Sequence, residues 1–203
     1  MSTDSRPFVD RERSALADLM AKLGPDAATC CAGWTTAHLA AHLVVRDRRP
    51  DAMAGYTIEA TGHGGPLVAW AHRTEDDLRT TTPYGTVVER VRSGPPLWLP
   101  TAWPPVARAV NTTEFAIHHE DVRRAQPAWE PRTLAREDQD ELWSAAALYA
   151  RRGAGRRGLV LRRTDVDGVE KRVGAAGRTV EGEPMELLLW LARRRDVARV
   201  TVS

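Results

Sequence analysis

Residues 114–122 (EFAIHHEDV) constrain this chain most, because they put ionisable side chains on the face of a helix that should be buried. At the spacing of an α-helix, Glu114, His118 and Asp121 fall within about 60° of one another. Apolar residues flank this stripe on both sides, so it lies in the middle of the inward face. Burying such charges without partners costs roughly several kcal/mol each. The three side chains therefore need buried partners or a metal ion.

Glu114 and His118 have the spacing at which two side chains of one helix can bind the same divalent ion. Prolines on both sides of the stretch limit this helix, which we predict over residues 106–125. One such pair provides only two ligands. We therefore expect at least one further ligand from another part of the chain.

His42 is the best candidate for the third ligand. Residues 34–45 predict a second helix, capped by Thr35 or Thr36, with His42 among leucines on its core face. In an antiparallel bundle this face can meet the stripe that contains Glu114. Two imidazoles and a carboxylate leave coordination positions open for water or substrate, as in reactive metal sites.

The other histidines fit this pattern less well. His38 lies one turn earlier on the second helix and would replace or extend the ligand set. His119 points away from the stripe, and we expect it to be solvated. Glu59 and His63 have the same spacing as the first pair but span a glycine-rich loop, and His72 has no partner pattern.

Two questions stay open at the level of the residues. His42 and His118 are alternatively ordinary core histidines with hydrogen-bond partners. Asp121 has three possible roles: it orients an imidazole, acts as a catalytic acid or base, or pairs with an arginine such as Arg46.

Composition excludes several classes of protein. The net charge is +2, and the basic residues are spread along the chain and interleaved with acidic ones, so nothing indicates a nucleic-acid or membrane-surface protein. No apolar run approaches the length of about 18 residues that a spanning helix needs, and no signal peptide is evident, so we expect a cytoplasmic protein. The adjacent Cys30 and Cys31 exclude a disulfide framework. We expect two half-buried thiols there, with a redox or metal-binding role as the alternative.

The remaining pattern predicts a mainly α fold. Helical periodicity extends over residues 8–24, 67–78, 84–93 and 136–152. Glycines predict a loop over residues 51–66, with a short helical turn near Ala52 as an alternative for its start. After residue 155 the pattern changes to a hairpin of residues 159–161 and 169–173, a helix over 183–195, and further strands at 178–180 and 197–202. We therefore predict an antiparallel four-helix bundle in residues 1–154, followed by a small α+β C-terminal module in residues 155–203.

Several segments resemble the metal-binding domain of mycothiol-dependent maleylpyruvate isomerase-like proteins, within the DinB-like superfamily. The segments that carry this resemblance are GWTTAHLAAHL (33–43) and EFAIHHEDVRRAQP (114–127). HLVVRDRRPDA (42–52) and VRSGPP (91–96) are similar to an actinobacterial-type subfamily, and EGEPMELLLWLARR (181–194) is similar to the C-terminal module of the family. The resemblance covers nearly the whole chain and implies a DinB-like bundle.

The resemblance also implies a site. The family pattern places the metal ligands at His42, Glu114 and His118 and functional side chains at Asp121 and Arg194. His38 departs from the pattern, because relatives often have aspartate there. The family implies a divalent metal, zinc first and nickel or iron as alternatives, with a low-molecular-weight thiol such as mycothiol as cosubstrate.

We therefore expect a divalent-metal-binding protein that acts as a thiol-dependent transferase or isomerase on a small electrophilic substrate, as a monomer or homodimer. The alternative is a metal-binding or small-ligand-binding protein without turnover, in sensing or detoxification. Arginine or other polar groups beside the metal favour the first function, whereas a closed ligand shell favours the second. A fold alone does not decide between them.

Overall fold

The computed structural model describes residues 6–59, 61–99, 102–153, 158–175 and 177–203. The helices within these ranges are α1 (Phe8–Leu23), α2 (Thr36–Arg48), α3 (Met53–Glu59), α4 (Pro66–Thr81), α5 (Tyr84–Ser93), α6 (Pro104–Arg124), α7 (Arg136–Gly153) and α8 (Pro184–Leu191). The strands are β1 (Leu159–Arg163), β2 (Glu170–Val173), β3 (Arg178–Gly182) and β4 (Thr201–Val202). The predicted mainly α fold with a small sheet towards the C-terminus is confirmed, whereas the antiparallel four-helix bundle stays a prediction.

The chain divides into two compact units. The first comprises the residues up to Asn111 together with His118–Pro127, and the second comprises Thr112–Ile117 with Ala128–Ser203. The domain boundary predicted after residue 154 lies outside the described residues and stays a prediction. Among the described residues, none of the helices combines the length and apolar character that a bilayer span requires.

In the first unit, α2 packs against α4 and α5, and α1 packs against α5. Leu16 and Met20 of α1 are fully buried, as its apolar stripe predicted. A buried ion pair between Arg13 and Asp47 joins α1 to α2. Arg13 also donates a hydrogen bond of 3.1 Å to the carbonyl of Val91 in α5, so one guanidinium group links three helices.

The sequence predicted a loop over residues 51–66 with at most a short helical turn near Ala52, whereas the seven-residue helix α3 forms in the first half and packs against α4. Gly55 is the point of closest approach: a Cβ atom there would lie 2.6 Å from the carbonyl oxygen of Leu67. The glycine that indicated a loop therefore permits close helix packing instead. The contact of Gly55 with α4 is a tertiary contact, and the sequence around Gly55 does not reveal it.

In the second unit, α7 packs along α8 and the four strands form a sheet with the order β2-β1-β3-β4. The predicted hairpin is confirmed, with Leu159 opposite Val173 in antiparallel register. Strand β1 pairs in parallel with β3, which in turn pairs antiparallel with β4. Leu161, Val180 and Leu187 are fully buried between the sheet and the helices.

Two predicted elements of the second unit are shorter than expected. Helix α8 ends at Leu191, because the chain turns at Arg193, whose φ is 68°. The backbone amide groups of Val197 and Ala198 then bond to the carbonyl of Arg194 in a further turn. Strand β4 comprises Thr201 and Val202, although the alternation predicted a strand from residue 197.

Candidate metal centre

Helix α6 presents the predicted stripe. His118 and Asp121 are 8% and 1% exposed, and Glu114, one turn before His118, is half-buried. The helix continues to Arg124 without interruption because the next proline is Pro127. The ionisable groups therefore lie where the sequence predicted them, away from bulk solvent.

His42 of α2 reaches the same place as His118. The centroids of the two imidazole rings are 5.7 Å apart. The rings of Trp34 and Tyr56 lie 5.2 and 5.1 Å from that of His42, so aromatic groups enclose it. Arg46, one turn beyond His42, donates a hydrogen bond of 2.7 Å to Asn111 of α6 and so holds the two helices together.

One potential ligand atom on each of His42, Glu114 and His118 lies within 4.8 Å of the other two. The ligand atoms of a tetrahedral zinc ion are roughly 3.3–3.6 Å apart, so such a set closes on an ion with side-chain movements on the order of 1 Å. Two imidazole nitrogens and one carboxylate oxygen also form a donor set that divalent transition metals accept. These residues thus fit a metal ion, and their assignment as its ligands stays a prediction.

A carboxylate contacts the Nδ1 atom of each imidazole. The distance from His42 Nδ1 to Glu75 Oε1 is 2.7 Å, and that from His118 Nδ1 to Asp121 Oδ2 is 2.9 Å. Because an ionised carboxylate only accepts hydrogen bonds, each ring donates from Nδ1, and the neutral tautomer that does so carries its lone pair on Nε2. This is the arrangement by which proteins orient histidine ligands of metals.

Glu75 of α4 is the partner that the sequence analysis missed. Its carboxylate also accepts hydrogen bonds from Tyr56 at 2.5 Å and from His72 at 3.1 Å. Burial acts to raise the pKa of Glu75, but the hydrogen bond from His42 and those from Tyr56 and His72 outweigh it and hold the pKa below its ordinary value. The group is therefore an ionised acceptor for His42 at neutral pH.

Glu75 was missed because its contact with His42 joins two helices. The one local signal is the spacing of His72 and Glu75, three residues apart on α4. His72, for which the sequence showed no partner pattern, therefore has partners. Its Nε2 atom lies 2.9 Å from Glu59, so Glu59 contacts this ring, whereas His63 contacts Thr61. Burial acts to lower the pKa of His72, but its bonds to the two glutamates raise it above the ordinary value.

The contacts of Asp121 agree with the first of its three predicted roles, the orientation of an imidazole. Its Oδ2 atom accepts hydrogen bonds from His118 and, at 3.2 Å, from the thiol of Cys31. A catalytic role of Asp121 stays a prediction. Cys30 and Cys31 are half-buried thiols, as expected.

The prediction that His119 is solvated is wrong. His119 is only 6% exposed, and its Nδ1 atom lies 3.0 Å from Glu12 of α1. Helix α6 is buried on this side as well, which its polar sequence did not indicate. Glu120 is also fully buried and binds Arg124.

Two further candidates have other contacts. His38 closes the capping box at the start of α2, with its Nδ1 atom 3.0 Å from the hydroxyl of Thr35. It belongs to neither cluster of potential metal ligands among the described residues. Arg194 donates a hydrogen bond of 2.8 Å to the carbonyl of Ala192, and its catalytic role stays a prediction.

Comparison with known proteins identifies solved structures with a similar fold. No protein-family model matches the chain, and no curated protein sequence matches it. Two solved structures are similar over 100% of this chain and 96% of theirs, each with a TM-score of 0.56 and 18% identity. They are the mycothiol-dependent maleylpyruvate isomerase and a variant of it in which a histidine is replaced by alanine. These matches support the fold relationship that the sequence resemblance implied, and membership of the family stays a prediction.

Proposed function

We propose that this chain binds one divalent metal ion through His42, Glu114 and His118 and uses it in a thiol-dependent transfer or isomerisation of a small electrophile. The observation that carries the proposal is the pair of buried carboxylates, Glu75 and Asp121, that bind the Nδ1 atoms of the two histidines. A histidine that binds a metal almost always donates its other ring N–H to a carboxylate, a backbone carbonyl or water. Here a carboxylate lies behind each of two neighbouring rings.

The donor set favours zinc. Two nitrogen ligands and one oxygen ligand suit zinc, and nickel or iron accept the same set. Three protein ligands leave at least one coordination position for an exogenous group. Such an ion, when bound, lowers the pKa of a coordinated thiol and so supplies a thiolate near neutral pH.

The chain's own residues would position the reaction. Glu75 and Asp121 would fix the orientation of the two imidazoles, and the rings of Trp34 and Tyr56 pack beside His42. The fold similarity to a mycothiol-dependent isomerase supports a thiol such as mycothiol as the cosubstrate. The alternative function, metal or small-ligand binding without turnover, uses the same ligands and is decided by the thiol experiment below.

Metal analysis of protein purified without a chelating resin tests the ligand set. We expect about one ion per chain, and its loss in His42→Ala, Glu114→Ala and His118→Ala. His63→Ala is the matched control, because this exposed histidine bonds to Thr61 in the loop after α3. Full metal content in the His118→Ala protein would refute the assignment.

Calorimetric titration of the metal-loaded protein with mycothiol tests the second part of the proposal, the use of a thiol as cosubstrate. Coordination of the thiol should release about one proton per ion, counted in buffers of different ionisation enthalpy, and should be absent in the metal-free protein. If the metal-loaded protein binds no thiol, the function without turnover takes the place of the proposed one.

A further inference from the structure

We propose a second metal position on the opposite nitrogen of His118, formed by Cys31 Sγ, His118 Nδ1 and Asp121 Oδ2. It would take thiophilic ions and exclude an ion at the first position, which uses Nε2 of the same ring. The exclusion depends on the proposed function, whereas the second position itself does not. These three side chains form the other cluster of potential metal ligands among the described residues.

The chain holds Cys31 rigidly beside α6. The backbone amide of Cys31 donates to the hydroxyl of Thr29 at 3.1 Å, and its carbonyl accepts from the amide of Trp34 at 2.9 Å. The amide of the neighbouring Cys30 donates to the carbonyl of Asp121 at 2.9 Å. The connection before α2 is thus fixed to the turn of α6 that carries the other two ligands, and little ordering is left to occur on binding.

The three ligand atoms are already spaced for an ion. The distance from His118 Nδ1 to Asp121 Oδ2 is 2.9 Å, that from Cys31 Sγ to Asp121 Oδ2 is 3.2 Å, and that from Cys31 Sγ to His118 Nδ1 is 3.9 Å. Ordinary zinc bond lengths at tetrahedral angles give about 3.4, 3.6 and 3.6 Å for these separations. Each separation therefore has to change by only about 0.3–0.5 Å.

The proton balance makes the two positions alternatives. Without an ion, the thiol and the Nδ1 group of His118 both donate to Asp121. Ion binding forms bonds to sulfur, Nδ1 and the carboxylate. The thiol proton leaves to solvent, and the imidazole changes tautomer, losing the proton on Nδ1 and gaining one on Nε2. A neutral imidazole has a lone pair on only one of its nitrogens, so while it stays neutral it serves one position at a time.

The sulfur ligand decides which ions prefer this position. The first cluster offers only nitrogen and oxygen, whereas Cys31 adds a thiolate, the ligand that soft ions select. Cd²⁺ is a convenient probe, because its bond to a thiolate gives an ultraviolet charge-transfer absorption that nitrogen and oxygen ligands do not give.

The test is a Cd²⁺ titration of the metal-free protein, followed by ultraviolet absorption. Wild type and the matched control Cys30→Ser should show the cadmium–thiolate absorption, saturating at about one ion per chain with release of about one proton. Cys31→Ser should lack the absorption, and His42→Ala, which removes only the first position, should keep it. An undiminished signal in Cys31→Ser would overturn the proposal.

A second measurement uses only the wild-type protein and so does not depend on how the variants fold. Bound Cd²⁺ should slow alkylation of Cys31 by roughly tenfold or more and leave Cys30 reactive, as read by mass spectrometry. Equal protection of both thiols, or of neither, would contradict the assignment. With zinc and cadmium supplied together, total metal should stay at about one ion per chain, and two ions would refute the exclusion.

Discussion

Replacing Glu75 with glutamine should weaken metal binding although Glu75 is not itself a ligand. Its carboxylate accepts the Nδ1 proton of His42 at 2.7 Å in a partly buried position, and a hydrogen bond to such a charge contributes roughly 1.5–3 kcal/mol. Loss of an outer carboxylate typically lowers metal affinity by about 10–100-fold, which corresponds to roughly 1.4–2.7 kcal/mol. The two figures agree, so we expect Glu75→Gln to raise the Kd for zinc by about 10–100-fold.

The assay is a competition titration with a chromophoric chelator. Glu59→Gln is the matched control. Glu59 lies 2.9 Å from the Nε2 atom of His72, whereas Glu75 contacts the Nδ1 atom of the same ring, so the ring of His72 stands between Glu59 and Glu75. We expect its Kd to change by less than about twofold. Urea denaturation of both metal-free proteins separates metal affinity from folding. A Kd for Glu75→Gln within about threefold of wild type, or an equal change in both variants, would refute the proposed role of the carboxylate.

Three further predictions concern stability. Zinc at about 100 times its Kd should raise the free energy of unfolding by about 2.7 kcal/mol and the Tm by roughly 5–10 °C, as measured by calorimetry. An unchanged Tm would show that the folded state does not bind zinc. Asp47→Ala removes the carboxylate that pairs with the buried Arg13 and should cost about 3–5 kcal/mol in urea denaturation. Asp51→Ala, in an exposed ion pair, should cost less than about 1 kcal/mol, and similar losses in the two variants would contradict this. The hydrogen bond from Arg163 holds the pKa of Asp165 below its ordinary value. The ionised Asp165 therefore stabilises the folded state above about pH 4, and this contribution is lost as the pH falls through the folded-state pKa. Asp165→Asn, but not Asp167→Asn, should therefore flatten the acid side of the stability profile.

The sequence allowed prediction of features that depend on local spacing. The stripe of Glu114, His118 and Asp121 follows from helical periodicity, and prolines limit its helix. His42 was predicted to lie beside this stripe because a histidine on an apolar face requires a buried partner, and its ring does lie 5.7 Å from that of His118. Each of these inferences uses residues within a few turns of one another.

The features that were missed depend on contacts between elements. Glu75 has the sequence context of an ordinary surface glutamate and becomes part of the site only because α4 packs on α2. His119 was placed in solvent because one side of a polar helix was assumed to face outward, whereas Glu12 of α1 covers it. Gly55 indicated a loop because no local pattern contains Leu67, the residue it packs against.

X-ray absorption spectroscopy of the zinc-loaded protein tests the proposed ligand set most directly. Coordination by His42, Glu114 and His118 predicts nitrogen and oxygen neighbours at about 2.0–2.2 Å, with the multiple-scattering pattern of two imidazoles and no sulfur at about 2.3 Å. The same spectrum should be recorded for Cys31→Ser. A sulfur neighbour in the wild-type protein that disappears in this variant would place zinc at the second position and contradict the proposed metal centre.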